Sequence, residues 1–454
     1  MSGYAVTNPS TGEVHAEYPT ATDAEIDSAI AAADSAYRTW ARQTSPEERA
    51  ALVRRVAELH RERLDDLAAI IVREMGKPLS HATGEVEFAA DITEYYADNW
   101  EKFTGDTPLE ILGEGTAVIN RGPIGPLLGI MPWNFPYYQL ARFAAPNLVL
   151  GNPIILKHAP QCPESSAAIA QMYADAGFPE GAFVNVYATN EQAATIISDR
   201  RVQGVSVTGS ERAGSAVAAL AGANLKKVAL ELGGSDPFIV LSTEDLGAVV
   251  DQAVEARLDN SGQSCNAPKR FIVIEDLYDD FVEKFTAAMS ATTMGDGFDD
   301  CAIGPLSSVL AAERLEEQVN GAVAQGATLA TGGTRDGAFF TPTVLTDVTP
   351  EMDVYRQELF GPASTIYKVA SEQEAVDLAN GTDYGLGSYV YTTDPAQAAR
   401  VAEGVEAGMV YINCVLADSP ELPFGGVKRS GTSREMGLLA ADEFVNKKLI
   451  RTAP

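Results

Sequence analysis

The sequence predicts an α/β protein with two parallel-sheet units, each sheet covered by helices on both faces, and a small β arm. Three observations predict it. From Leu127 onward, short apolar runs alternate with helix-length segments, the rhythm of parallel strands joined by crossovers. A second series of the same kind starts after Gly234. Between a helical N-terminal hundred residues and the first series, residues 106–121 change texture to short extended pieces. A chain of 454 residues, 46% of them hydrophobic, has the length and apolar content for more than one core.

The elements follow in order. A short extended entry runs from Val6 to Gly12. Thr22 with Glu25 and Ser45 with Glu48 fit capping boxes, the second with Pro46 at the first helical position. The second box opens a long amphipathic run through Leu52, Val56, Leu59, Leu64 and Leu67, closed by Gly76-Lys77-Pro78. A third helix spans about 80–103. Ala117–Asn120 reads as an arm or edge hairpin able to pair with another subunit. Strands are predicted at Leu127–Met131, Pro153–Leu156, Phe183–Val186, Val202–Val207 and Val228–Leu230, with helices at Tyr137–Leu150 and Pro163–Ala176. After a boundary near Gly233-Gly234 come strands at Phe238–Leu241, Arg270–Ile274, Ser388–Tyr391 and Gly408–Ile412. Helices are expected at Glu244–Arg257, Asp276–Met289, Ala311–Gln325 and Ser371–Ala379, and Lys447–Arg451 reads as a last strand. In open sheets of this kind ligands gather beyond the carboxyl ends of the strands.

The formal charge of −30 is spread along the chain, with no acidic tail. Such a field repels nucleic acid and anionic membranes. It also keeps a protein hydrated at high salt, so adaptation to a saline cell interior is one expectation and an ordinary acidic enzyme the other. The four cysteines are widely spaced without a C-x-x-C pair, no metal-ligand set is assigned, and the N-terminus lacks a signal-peptide pattern. A cytoplasmic location is expected.

Cys265 is the candidate nucleophile. A lone cysteine is commonly a small buried hydrophobe, but the polar, turn-forming Ser261-Gly262-Gln263-Ser264 before it and Asn266-Ala267-Pro268 after it are unlike a strand interior. Cys162, Cys301 and Cys414 lie in less suggestive surroundings. Glu231 closes a predicted buried strand ahead of Gly233-Gly234. A carboxylate there is costly to desolvate, so it is either a general base of raised pKa or a hydrogen-bonded cap. Pro132-Trp133-Asn134-Phe135-Pro136 follows another strand and presents the Asn134 amide at the sheet edge, suited to an oxyanion. Val207-Thr208-Gly209-Ser210, with Gly214, opens a helix whose N-terminus suits a phosphate. Lys157 ends a strand, as a ribose or phosphate ligand or as a solvated lysine.

Taken together these motifs, with Glu358-Leu359-Phe360-Gly361-Pro362 and Pro423-Phe424-Gly425-Gly426-Val427-Lys428, resemble the aldehyde dehydrogenase superfamily over essentially the whole chain. The stretch from Glu231 to Val240, with Leu156-Lys157-His158-Ala159-Pro160, is similar to its succinate-semialdehyde dehydrogenase branch. The resemblance implies two Rossmann-like domains and an oligomerisation arm. Residues 1–105 and 122–233 would bind NAD or NADP, 234–440 would form the catalytic domain, and 106–121 with 441–454 the arm of a homodimer or homotetramer. It implies that Cys265 attacks an aldehyde, that Asn134 and the Cys265 N–H hold the oxyanion, and that Glu231 activates the hydrolytic water. Pro132, Trp133, Lys157, Thr208, Gly209, Ser210, Gly214, Leu232, Glu358 and Phe360 would contact the cofactor, Lys157 at the adenosine ribose and Glu358 with Phe360 at the nicotinamide side.

The sequence departs from the family pattern at informative places. Pro160 replaces a glutamate usual in NAD-strict members, which leaves a 2′-phosphate acceptable. Phe143 replaces a lysine that many members carry. For substrate, Arg142 matches an arginine with which succinate-semialdehyde dehydrogenases hold the distal carboxylate, with Ser419 as a possible assistant. A charge-assisted pair of that kind is worth about 1.5–3 kcal/mol. The alternative is a snorkelling helix residue. A second arginine of some relatives is Asp259 here, which leaves other semialdehydes and aliphatic aldehydes open. A non-catalytic protein on the same fold and a cofactor-independent thiol esterase are the other classes. Cofactor-dependent turnover separates both from a dehydrogenase.

Overall fold

The structure is a computed structural model that describes residues 3–454. A five-stranded, wholly parallel sheet has the order Phe183–Asn185, Ile154–Lys157, Leu127–Ile130, Gly204–Thr208, Lys227–Glu231. Chain order runs outward from Leu127–Ile130 in one direction and then resumes on its other side at Gly204–Thr208. That reversal opens a crevice above the carboxyl ends of these two strands. The strands are buried on both faces, so neighbouring residues serve different cores. Leu127, Ile154 and Leu156 join the core under the long helices, whereas Leu128, Ile155 and Val205 pack on the other side.

The second sheet has seven strands in the order Thr328–Thr331, Thr343–Thr346, Ala363–Val369, Arg270–Ile274, Pro237–Val240, Tyr389–Tyr391, Tyr411–Ile412. All its pairings are parallel except the one at the Thr328–Thr331 edge. Side chains alternate again: Ile239 and Ile272 face one core, Phe238 and Phe271 the other. The strand Ala363–Val369 was not legible in sequence because its start, Ala-Ser-Thr, is polar. It is nevertheless central, with Ser364 and Thr365 buried, residues 365–369 paired with Arg270–Ile274 and residues 363–365 with the strand Thr343–Thr346.

Several local readings correspond to observed elements, and some are refined. Both capping boxes form: Thr22 with Glu25 at the start of Asp23–Arg38, and Ser45 with Glu48 at the start of Pro46–Glu62. The long run is two helices, Pro46–Glu62 and Leu64–Met75, because Arg63 leaves helical geometry, and Gly76 ends the second in the left-handed conformation. The extended entry is a hairpin, Tyr4–Thr7 against Val14–Tyr18. The helix Pro395–Gly404 was not anticipated. The arm is a three-stranded antiparallel sheet in which Thr116–Pro123 lies between Thr107–Leu109 and Val445–Thr452. No described helix is long and apolar enough to cross a membrane.

Candidate active site

Cys265 sits just past a run of left-handed backbone. After the helix Leu246–Leu258 the chain makes a tight turn, Asp259–Gly262, in which Asn260, Ser261 and Gly262 all have positive φ (51°, 56° and 74°). A non-glycine residue held there costs about 1–3 kcal/mol and persists only where the surroundings over-determine it. They do. The Asn260 side chain donates to the Asn134 carbonyl at 2.9 Å, and its N–H donates to His81 Nδ1 at 3.2 Å. The Ser261 hydroxyl accepts from the Gly304 N–H at 3.0 Å. Buried Arg257 donates to the Gly262 carbonyl at 2.7 Å and to that of Gly361. At Gly262 a Cβ would collide with the Gly361 carbonyl and lie 2.6 Å from the Arg257 guanidinium, so the glycine is required twice over.

The same turn positions Asn134. Its Nδ2 donates to the Gln263 carbonyl at 3.0 Å, and its Oδ1 accepts from Gln139 at 3.2 Å. An amide nitrogen carries two N–H groups, so one remains for an oxyanion beside Cys265. The Pro132–Pro136 turn itself is braced from below. Buried Glu85 pairs with Lys77 and accepts from the Tyr137 N–H at 2.9 Å, at the opening of the helix Tyr138–Leu150. The Lys77 ammonium lies 3.7 Å from the centre of the Phe135 ring.

Glu231 ends the strand Lys227–Glu231, as its apolar approach Val228-Ala229-Leu230 suggested. It is 2% exposed. One carboxylate oxygen accepts from Ser433 Oγ at 2.8 Å and the other has no partner. Burial, and then the neighbouring Glu435 carboxylate, push its pKa well above the ordinary range, while Arg142 and Ser433 oppose the rise. Glu435 is raised for the same first reason, burial. The result is a carboxyl that holds its proton to higher pH than a surface acid, with a free oxygen to exchange it. Burial likewise pushes the Cys265 thiol up to about 12, against the pull of Arg142 and Lys269.

Two cavities meet at Cys265. One, of about 300 Å³, is lined by Pro132, Trp133, Asn134, Thr208, Gly209, Ser210, Glu231, Leu232, Glu358 and Phe360 as well as Cys265. It lies at the reversal of strand order in the five-stranded sheet. Most of the residues expected at the catalytic and cofactor positions are thus brought together. Gly214 stands behind the wall, where a Cβ would strike Leu232 at 2.6 Å. Ser210 caps the helix Glu211–Ala223, leaving N–H groups at its start for an anion. The buried Thr208 hydroxyl has no partner among the described residues. Glu231-Leu232-Gly233-Gly234 can pass between the cavities because a Cβ at Gly233 would run into the Glu358 carboxylate and one at Gly234 would lie 2.7 Å from the Cys265 carbonyl. A further, mainly apolar cavity of about 270 Å³ is lined by Ile130, Lys157, Ala193, Ile197, Arg212 and Val217 among others. Lys157 is buried in it without a carboxylate partner. A dinucleotide fits this set: a flat apolar slot with a cation, a helix N-terminus, then a cleft ending at the thiol.

The second cavity at Cys265, about 440 Å³, is on the opposite side, walled by Phe88, Phe135, Tyr138, Phe424, His81, Asp259 and Asp418 among others. The Asp418 carboxylate accepts from the Tyr411 hydroxyl and from Asn266. Arg142 and Ser419 are not on its surface. Ser419 is turned away, its hydroxyl donating to Glu421. Arg142 lies behind the wall, 1% exposed, sandwiched between the Tyr138 and Phe424 rings at 4.5 and 4.3 Å. It is paired with Glu435 at 2.7 Å and donates to the Tyr138 hydroxyl at 2.9 Å, but its Nη2 has no partner.

Three features escaped sequence reading. Ser433 and the role of Glu435 arise from the loop after Phe424, remote in sequence from Glu231. Lys269 looked like an ordinary basic residue before a strand. Arg212 did carry a signal, since a cation in the first turn of a helix works against the helix dipole unless an anion comes there.

Known proteins resemble this chain over nearly its whole length. The sequence model of the aldehyde dehydrogenase family matches residues 2–450. The chain is 50% identical over 455 residues to the NADP(+) succinate-semialdehyde dehydrogenase of Deinococcus radiodurans, covering 99% of this chain and 95% of that one. It is 43% identical to the corresponding protein of Mycobacterium avium, covering 98% and 96%. Among solved structures, succinic semialdehyde dehydrogenase from Streptococcus pyogenes in complex with NADP+ superposes with a TM-score of 0.97 at 40% identity, covering 99% and 100%. Succinate-semialdehyde dehydrogenase from Burkholderia pseudomallei does so with a TM-score of 0.96 at 39% identity, covering 100% and 95%.

Proposed function

The chain belongs to the aldehyde dehydrogenase family and is an NAD(P)-dependent enzyme, and from that premise we propose that it oxidises succinate semialdehyde to succinate, with NADP+ preferred. The observation that carries the substrate is the 50% identity to a succinate-semialdehyde dehydrogenase over 99% of the chain. The unused Nη2 of buried Arg142, one side-chain layer behind the cavity that opens on Cys265, supports it. A guanidinium held by Glu435 through one edge keeps donors for a distal carboxylate. Lys157 and Arg212, with Pro160 leaving no carboxylate nearby, support the preference for a 2′-phosphate.

A bound NAD(P)+ supplies the hydride acceptor. The chain's own residues do the rest. The Cys265 thiol releases its proton as its sulfur bonds to the aldehyde carbon, and the free Asn134 N–H with the Cys265 N–H holds the oxygen as it becomes anionic. After oxidation the acyl group remains on Cys265 as a thioester. Glu231 takes a proton from the water that opens it; the C–S bond breaks, the acid leaves and the proton returns to the Cys265 sulfur. Passing through the covalent intermediate splits one difficult step into two easier ones. The same reading assigns residues 1–105 and 122–233 to the cofactor side, 234–440 to the nucleophile side, and 106–121 with 441–454 to subunit pairing. Exposed Leu109, Leu449 and Ile450 on the arm support a homodimer or homotetramer, and a cytoplasmic location is consistent with the lack of a membrane-crossing helix among the described residues. The spread of acidic residues supports a salt-adapted surface. Stability that rises with KCl is expected, and indifference to salt would remove that part.

The test is a panel of aldehydes followed by reduced-cofactor absorbance with NADP+ and with NAD+. Succinate semialdehyde should exceed butanal in kcat/KM by more than tenfold; equal values would refute the substrate. Turnover surviving in Cys265→Ala would refute the chemistry.

A further inference from the structure

We propose that Lys269 is a positioning residue that ties the cofactor-side carboxylate Glu358 to the backbone of the nucleophile, so that filling the cofactor cleft changes the setting of the Cys265 thiol. The proposal rests on the reading of Cys265 as nucleophile and Glu358 as a cofactor contact.

Lys269 is 1% exposed and stands at the head of the central strand Arg270–Ile274. Its main chain is pinned on both sides: its N–H donates to the Asp236 carbonyl at 3.0 Å, and its carbonyl accepts from the Thr365 N–H at 2.9 Å. From that fixed root the side chain runs under the catalytic loop. Its ammonium donates to the Ser264 carbonyl at 2.9 Å and the Cys265 carbonyl at 2.6 Å, and it pairs with Glu358 Oε1 at 3.5 Å. An ammonium has three N–H groups. Two therefore go to the nucleophile's own peptide groups and the third faces the cofactor cleft. Glu358 Oε1 also accepts from the Gly234 N–H at 3.0 Å, and Gly234 is packed against the Cys265 carbonyl. One carboxylate thus bears on the loop after Glu231 and, through Lys269, on the loop of Cys265.

The other charged groups around the ammonium are Asp236 and Arg257, and the thiol itself is also faced by Arg142. Arg257 is committed to backbone carbonyls, donating to those of Gly262, Pro268 and Gly361. Asp236 is fully buried, with neither carboxylate oxygen hydrogen-bonded to a side chain. Of the two carboxylates around the ammonium, Glu358 lines the cleft and Asp236 does not. A ligand hydroxyl that donates to Glu358 weakens its hold on the ammonium. The ammonium then bears more strongly on the Cys265 carbonyl and, through space, on the thiol, whose charge it already favours. A methionine in place of Lys269 would fill the volume but leave the Ser264 and Cys265 carbonyls without their donor.

The experiment is alkylation of Cys265 by iodoacetamide from pH 7 upward until the rate levels off, with and without NADP+, because only the thiolate reacts and the midpoint of the profile reports the thiol independently of how crowded it is. In the natural protein NADP+ should move the profile to lower pH. In Lys269→Met the rate at a given pH should fall about tenfold, the effect of one unit of thiol pKa, and NADP+ should no longer move the profile. Lys269→Arg, which keeps the charge, should restore part of the response. If Lys269→Met does not fold, Glu358→Gln serves, since it keeps a hydrogen-bond acceptor and removes only the charge. It should also abolish the shift caused by NADP+. An unaltered profile in Lys269→Met, or a full NADP+ shift in Glu358→Gln, overturns the proposal. Turnover of Cys265→Ala, measured alongside, separates this from failure of the underlying reading: activity there sinks both, whereas inactivity there with an unaltered Lys269→Met profile sinks the role of Lys269 alone.

Discussion

Replacing Arg142 by methionine separates the proposed substrate recognition from structural support, because the proposed function gives this buried arginine both roles. Structurally it is the partner of Glu435 in a site closed to water, with Glu231 as a second carboxylate nearby. Removing the cation strands two buried acids. Breaking a buried pair in this way costs about 3–5 kcal/mol of stability. Functionally, the loss of the distal-carboxylate contact should cost about 1.5–3 kcal/mol, roughly 10- to 150-fold in kcat/KM. That loss applies to succinate semialdehyde and not to butanal, which has no carboxylate. The double variant Arg142→Met/Glu435→Gln resolves the two effects, since a neutral amide no longer needs the cation. Its melting temperature should recover most of the way while its discrimination against butanal stays lost. The assay is kcat/KM for both aldehydes beside a thermal melt for all three proteins. Equal falls for the two aldehydes in the double variant would show that Arg142 only supports the core, and the recognition argument would fail.

Other outcomes follow from the same geometry. If Glu231 must be ionised to activate water, activity rises with pH through its elevated pKa. Ser433→Ala removes a hydrogen bond that holds that pKa down, so the rising limb of kcat should move to higher pH. Glu435→Gln removes a charge that holds it up, so the limb should move to lower pH, and movement in the same direction in both variants would contradict this assignment. Gly262→Ala places a Cβ against the Gly361 carbonyl at positive φ; a loss of about 1–3 kcal/mol in stability is expected, together with most of the turnover, and a fully active variant would mean that the turn before Cys265 tolerates rearrangement. Lys157→Ala and Arg212→Ala should each raise KM for NADP+ by about an order of magnitude, as expected for a lost charge-assisted contact, while KM for NAD+ shifts less for Arg212→Ala. Parallel changes for the two cofactors would remove Arg212 from 2′-phosphate recognition.

Much of the architecture was legible because local signals were strong where burial is two-sided. Leu127-Leu128-Gly129-Ile130 and Arg270-Phe271-Ile272-Val273-Ile274 are apolar enough to announce strands, and Thr22 and Ser45 announce helix starts with their own side chains. Legibility failed where an element's character depends on its neighbours. Ala363–Val369 is a central strand whose polar residues are buried by pairing, which no single-strand pattern reveals. Asn260 and Ser261 gave no sign of left-handed backbone, because the contacts that impose it come from His81, Gly304 and the Asn134 turn.

The amino-acid sequence by itself determined which chemical groups are available and in what order: one thiol in a polar turn, one carboxyl at the end of an apolar strand, one amide between two prolines. Those choices are local, and local physics exposes them. The tertiary structure alone decided what each group is next to. It set Glu435 and Ser433 against Glu231, drew Arg142 back from the cavity surface into a pair with Glu435, and put the Lys269 ammonium beneath Cys265 and beside Glu358. The physical reason is that desolvation and Coulomb interaction act over a few ångströms of space whatever the separation along the chain. The pKa of Glu231 and the setting of Cys265 are therefore properties of the fold, whereas the candidate nucleophile already stood out in the chain by its polar turn.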